Sequence, residues 1–210
     1  VLADLGVGQS AADWLASSSA EELAWVLHEY GEDRDPLLAA RIAEAVAARA
    51  RLEPPLRRTK QLADVVRNVK AMGGASAFEQ PARLTFQAIR THLNQEFQQL
   101  QRLLDSVFPA LKMGGRCVVL CFKRSEVDLV RRFLREKEEC DPEIVADWPH
   151  RRVLQLYPLL AQQDPPDWCV AEAMPALKAS VDELRANTRA RSARALVLEK
   201  RPRRVLAADL

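Results

Sequence analysis

Residues 114–133 constrain the fold more than any other stretch. Gly114-Gly115 supplies a turn, and the run Cys117-Val118-Val119-Leu120-Cys121-Phe122 is apolar without a break. Such a run reads as a strand buried on both faces. Ser125 is placed to cap a helix whose Leu129, Val130 and Phe133 share one face. Strand, short loop and helix form the unit of an α/β sheet. In such sheets the loop after a strand's carboxyl end borders the ligand crevice, so a site is expected at residues 122–126.

The chain has 210 residues, enough for one large domain or two small ones, and is 48% apolar and 29% charged, as in ordinary globular proteins. No apolar run reaches the ~18 residues that a membrane-spanning helix needs. None of the four cysteines forms a C-x-x-C pair. Cys117 and Cys121 lie four apart on one strand, too far to bridge, and read as core thiols of a reducing compartment. The chain opens on Val1, and any targeting segment would lie upstream.

The net charge is only +2, but it is unevenly spread. Residues 1–50 hold nine acids against three arginines. Residues 185–204 hold Arg185, Arg189, Arg191, Arg194, Lys200, Arg201, Arg203 and Arg204 against Glu199 alone. Such a basic end suits a polyanion, and equally suits a solvated tail.

Val1–Val7 reads as a strand that runs into a Gly turn, with Asp4 either facing a ligand or satisfying turn amides. Residues 8–78 read as a separate helical module. Ser19 and Glu22 form a capping box, Asp35-Pro36 opens a second helix, and Thr59 caps a third. Trp14 and Trp25 are assigned to this module's core. Arg57, Arg58 and Lys60 form either a solvated helix start or a phosphate contact. Thr85 to about Phe108 fits one long helix, with Arg90 and Asn94 on a common face. After 114–138 comes a proline-rich, less regular stretch. Residues 168–173 are expected as a strand, Ser180–Leu184 as a short helix and Ala193–Glu199 as a last strand.

Several segments, in order, resemble one family. Asp4–Val7 resembles D-L-G-V, Gly8–Leu15 resembles G-Q-S-A-A-E-W-L, and Tyr30–Arg34 resembles Y-G-E-E-R. Arg58–Val66 resembles R-T-K-E-L-A-E-V-V. Thr85–Arg90 with Asn94 and Glu96 resembles T-F-Q-A-L-R and its downstream N-x-E, and Asn187–Ala193 resembles N-P-R-A-R-S-A. On these motifs the chain is identified as a member of the bacterial small-subunit rRNA (cytosine-N(4)-)methyltransferases, RsmH or MraW.

The resemblance implies a fold: an α/β, Rossmann-like S-adenosylmethionine (SAM) methyltransferase domain at 1–7 and 79–210, whose C-terminal half of the sheet is visible, with a helical substrate-recognition insert at 8–78. It implies SAM as cofactor, with Asp4 among its contacts. It also implies small-subunit rRNA, with ribosomal or assembly proteins, as partners. The positions assigned to RNA are Arg57, Arg58, Lys60, Arg90, Asn94, Lys123, Arg124, Arg189, Arg191, Arg201, Arg203 and Arg204. The expected location is the ribosome, mitochondrial if the source is eukaryotic and cytoplasmic otherwise.

The chain also departs from the family pattern. The family's glycine-rich SAM loop precedes D-L-G-V and is not found in these 210 residues, and about thirty family residues are missing between Val7 and Gly8. The family's F-H-S-L-E-D-R aligns with Phe122-Lys123-Arg124-Ser125-Glu126-Val127-Asp128, so His becomes Lys123 and Asp becomes Val127. Leu84 stands where the family has Arg. Methyl transfer to a cytosine amine needs the base held out of its stack and an acceptor for its proton. Phe122 could stack on the base and Glu126 could orient the amine, but a lysine neither accepts that proton nor favours a nearby sulfonium. The expected function is therefore an rRNA-binding assembly factor with a degenerate catalytic site. The alternative is an active SAM-dependent cytosine-N(4) methyltransferase.

Overall fold

The computed structural model describes residues 9–31, 35–51, 56–72 and 81–204. The expected strand at 1–7 and its Asp4 lie outside them. Contacts divide the chain into two compact units, Val1–Glu96 and Phe97–Leu210.

The first unit is helical: α1 (Ala11–Ser17), α2 (Ala20–Tyr30), α3 (Pro36–Arg51), α4 (Thr59–Met72) and α5 (Arg83–Leu93). Its helix starts follow local chemistry. Ser10 Oγ accepts from Asp13 N–H and opens α1, which adds a helix to those expected from periodicity. Ser19 Oγ accepts from Glu22 N–H and opens α2. Asp35 Oδ1 accepts from the N–H groups of Leu37 and Leu38 ahead of α3. At α4 the expected Thr59 cap is replaced: Thr59 is the first helical residue, and Gln61 Oε1 accepts from Arg57 and Arg58 N–H at 3.0 and 2.9 Å. At the end of α2, a Cβ on Gly31 would lie 2.4 Å from Leu27 O, so close approach of the backbone requires glycine there.

Trp14, Leu15, Leu23, Val26, Ile42, Val46, Leu62, Val66 and Ile89 form this unit's core. Trp14 is buried and its indole N–H donates to Glu22. Trp25 is not in the core: it is 53% exposed and meets Tyr30 edge-on at 5.4 Å. Its position explains this, since Leu23, Val26 and Leu27 take the inward face of α2 and Trp25 falls on the opposite side.

The single long helix expected over 85–108 is two. α5 ends at Leu93, Gln95 takes φ of 51°, and α6 (Glu96–Ala110) begins afresh. The Glu96 carboxylate pairs back across the break, with Arg90 Nε at 2.7 Å and Thr91 Oγ1 at 3.0 Å. Asn94 is the C-cap of α5.

The second unit carries α6, β1 (Arg116–Cys121), α7 (Arg124–Lys137), the short helices α8 (Pro142–Val145) and α9 (His150–Leu156), β2 (Trp168–Lys178), α10 (Val181–Ala186) and β3 (Arg194–Pro202). The strands form one sheet in the order β1-β3-β2, with β3 antiparallel to both neighbours. The fold is thus mixed α/β with a small antiparallel sheet. Leu196 and Leu198 of β3 pack with Phe133 and Val130 of α7 and with Phe108 and Leu104 of α6. The expectation that β1 is buried on both faces is corrected. Its residues alternate, with Val118 63% and Leu120 58% exposed while Cys121 is buried. Among the described residues β1 pairs on one side only, and the helices of this unit cover one face of the sheet.

Lys200 holds the end of α6. It is buried, and its Nζ donates to the carbonyls of Pro109 and Leu111 at 3.2 and 2.8 Å and lies 5.1 Å over the Trp168 ring. A cation there satisfies carbonyls that the helix leaves without partners. No helix among the described residues is long and apolar enough to cross a membrane.

Candidate nucleic-acid interface

The turn between β1 and α7 is built by Glu126. Its Oε2 accepts from Phe122 N–H at 2.8 Å and Lys123 N–H at 3.1 Å. Lys123, not Ser125, is the N-cap, and α7 starts at Arg124. A glutamate three residues past the cap can satisfy the N–H groups that a helix start leaves open. The same carboxylate was expected to orient a substrate amine; one of its oxygens, Oε2, is bonded to the backbone. Val127, which replaces the family's Asp, packs in the hydrophobic core. Asp128 points outward, 3.7 Å from Arg124. Lys123 is buried, 8% exposed. Phe122 is 52% exposed, so its ring is open to stack on a planar ligand.

The thiols of this strand are not poised for chemistry. Burial, and then the charge of Glu126, push the Cys121 thiol up to about 11, and burial raises Cys117. Both remain protonated at neutral pH and are weak nucleophiles. Among the described residues no group of His, Cys, Asp and Glu side chains is arranged to hold a metal ion.

Strand register decides which basic residues meet this turn. Cys121 at the end of β1 and Lys178 at the end of β2 both pair with Arg194 at the start of β3. The 122–126 turn and residues 179–193 therefore leave the sheet at the same end. That end carries exposed Phe122, Arg124, Arg189 and Arg191. Arg189 and Arg191 sit on a 3-10 turn, Thr188–Ser192, whose start is held by Asn187 Oδ1 accepting from Arg189 N–H. Arg185, near them in sequence, is paired with Asp182 at 3.3 Å.

The other half of the basic tail goes elsewhere. β3 advances about 3.3 Å per residue, which carries Arg201 roughly 20 Å from Arg194. Arg201, Arg203 and Arg204 thus lie at the opposite end of the sheet, and 185–204 is not one patch. The guanidinium groups of Arg201 and Arg203 are also engaged. Arg201 and Arg116 both bind Glu199, at 2.8 and 2.7 Å. Hydrogen bonds from Arg201 and then Arg116 hold the Glu199 carboxyl below its ordinary range. This contribution to stability is complete above the ordinary glutamate pKa and is lost as pH falls through the lowered one. Arg203 donates to Pro166 O, and Arg204 N–H is held by Glu139.

In the helical unit, Arg57, Arg58 and Lys60 are exposed at the start of α4. Arg90 is committed to Glu96 and Asn94 to the helix end. His92 meets the Trp14 ring at a tilt of 44° with centroids 4.9 Å apart, and lies 6.0 Å from Tyr30. The hollow lined by Leu27, Gly31, Ala39, Ile42, Leu84 and Thr85 offers about 10 Å³, the room of a single water and far from that of a nucleoside.

The expected Ser125 cap hid the capping role of Glu126, whose signal is its place three residues after Lys123. The pairing that separates Arg189 and Arg191 from Arg201, Arg203 and Arg204 required the sheet.

Comparison with known proteins agrees with the sequence motifs. Residues 4–201 match the model of the MraW methylase family. The chain is 40% identical over 193 residues to a protein named ribosomal RNA small subunit methyltransferase H from Xanthomonas axonopodis pv. citri, covering 92% of this chain and 51% of the relative. A protein of the same name from Acidovorax ebreus is 35% identical over 193 residues, covering 92% of this chain and 56% of the relative. The chain belongs to the MraW methylase family, and it spans about half the length of the curated relatives it matches.

Proposed function

We propose that this chain binds small-subunit ribosomal RNA as an assembly factor, and that its β1–α7 turn no longer serves methyl transfer. The observation that carries this reading is the sheet register, which brings the exposed Phe122 ring to the same end as Arg124, Arg189 and Arg191. An open aromatic among guanidinium groups suits unstacked bases and phosphates. The named relatives act on small-subunit rRNA, which supplies the class of RNA. Arg57, Arg58 and Lys60 extend the phosphate contacts in the helical unit.

The case against catalysis lies in the turn. Its glutamate is bonded to two backbone amides, its lysine is buried, and the position of the family's Asp is a core valine. SAM is the methyl donor that family membership implies. Beside the turn, the buried lysine disfavours a sulfonium. The part we assign to this chain is to stack a base and hold phosphates.

We also read β1-β3-β2 as one end of a larger, Rossmann-like sheet that continues past the one-sided edge of β1. Residues 8–78 are then a helical insert in that domain. The name shared by the relatives supports a second reading, methylation of small-subunit rRNA, which the family resemblance would make SAM-dependent transfer to a cytosine amine.

The test is an incubation of the 210-residue chain with immature small subunits and labelled SAM. Salt-sensitive binding without label in the RNA is expected. Stoichiometric transfer to cytosine, lost on Asp4→Ala, would establish the second reading instead.

A further inference from the structure

Apart from Arg124, the solvent face of α7 was not among the positions assigned to RNA from the sequence. The helix buries Val127, Leu129, Val130, Phe133 and Leu134 against the sheet and α6. Its other face exposes Arg124, Arg131, Arg132 and Arg135. At about 100° per residue, Arg131 and Arg135 fall within roughly 20° of Arg124, and Arg132 within about 80°. Two carboxylates border this stripe: Asp128 faces Arg124 at 3.7 Å, and Glu138, the C-cap, feels the charge of Arg135. Neither Arg131 nor Arg132 has an ion pair or side-chain hydrogen bond among the described residues. Arginine is also the side chain whose planar fork best fits phosphate oxygens.

The stripe starts where the interface ends. Arg124 is the first residue of α7, next to Phe122, and a rise of 1.5 Å per residue places Arg131 about 10 Å and Arg135 about 16 Å further along. We propose that the outer face of α7 is a phosphate-backbone track, on which Arg124, Arg131, Arg132 and Arg135 guide an RNA strand toward Phe122. This rests on the reading above that the chain binds small-subunit rRNA. It adds a second contact surface, running along the helix rather than across the sheet end.

The test measures binding of a small-subunit rRNA transcript to the full chain by fluorescence anisotropy over a salt series. The variant replaces Arg131, Arg132 and Arg135 with Gln. The control replaces Arg41, Arg83 and Arg102, also exposed, and so removes the same charge. Glutamine is a good helix former, and equal urea midpoints would show that both variants fold. The α7 variant is expected to lose about tenfold or more in affinity, with a log–log salt slope shallower by about two. The control should stay within about twofold of the parent. If the parent binds and the α7 variant loses no more than the control, the track is overturned while the rRNA reading stands. If the parent itself fails to bind the transcript, both fall.

Discussion

Phe133→Ala is expected to destabilise the second unit by about 3–5 kcal/mol, enough to threaten a domain of ordinary stability. Phe133 is 1% exposed, its ring lies 5.3 Å from that of Phe108, and it is the largest side chain that α7 buries against the sheet. Removing the ring leaves a cavity between layers that cannot collapse without moving the helix. Hydrogen exchange at the amides of β3 reads the loss directly, because Leu196 and Leu198 share this core. Phe122→Ala supplies the contrast. That ring is half exposed, so stability should change by less than about 0.5 kcal/mol, while RNA affinity should fall if the ring stacks on a base.

Charge reversal should separate the two ends of the sheet. Arg189→Glu with Arg191→Glu is expected to weaken rRNA binding by roughly 10- to 100-fold at moderate salt without lowering the unfolding midpoint. Both side chains are exposed and neither makes a side-chain bond among the described residues. Reversing Arg201 and Arg203 should behave differently. Those changes break the bond to Glu199 and the bond to Pro166 O, so the midpoint itself should drop. Filter binding beside urea denaturation checks both. Equal effects of the two pairs on RNA, with no change in stability, would contradict the division of the tail.

Local signals were the most legible part of this chain. Ser19, Asp35-Pro36 and Ser180 each mark a helix start because their side chains act within three residues. The family motifs were equally readable, and the match over residues 4–201 agrees with them. What could not be read depends on distant partners. Val118 and Leu120 are apolar enough for a doubly buried strand, but whether a face is covered is decided by what packs on it. The break at Gln95 carries no glycine or proline to announce it, and the pairing of Arg90 and Thr91 with Glu96 forms only after the chain turns. The basic run at 185–204 is contiguous in sequence, and the β3 strand separates its two ends in space. Glu126 was read for catalysis because it is kept from the family's turn motif. In the fold its Oε2 accepts from the backbone N–H groups of Phe122 and Lys123.

The most direct measurement of whether this turn has lost its chemistry uses an active relative. Residues 122–128 would replace the corresponding loop of the Xanthomonas axonopodis protein. Methyl transfer to immature small subunits would then be followed with labelled SAM. A fall of about 100-fold or more is expected, because a catalytic proton acceptor contributes about that much, with subunit binding retained. Transfer at the parent's rate by the grafted protein would contradict it.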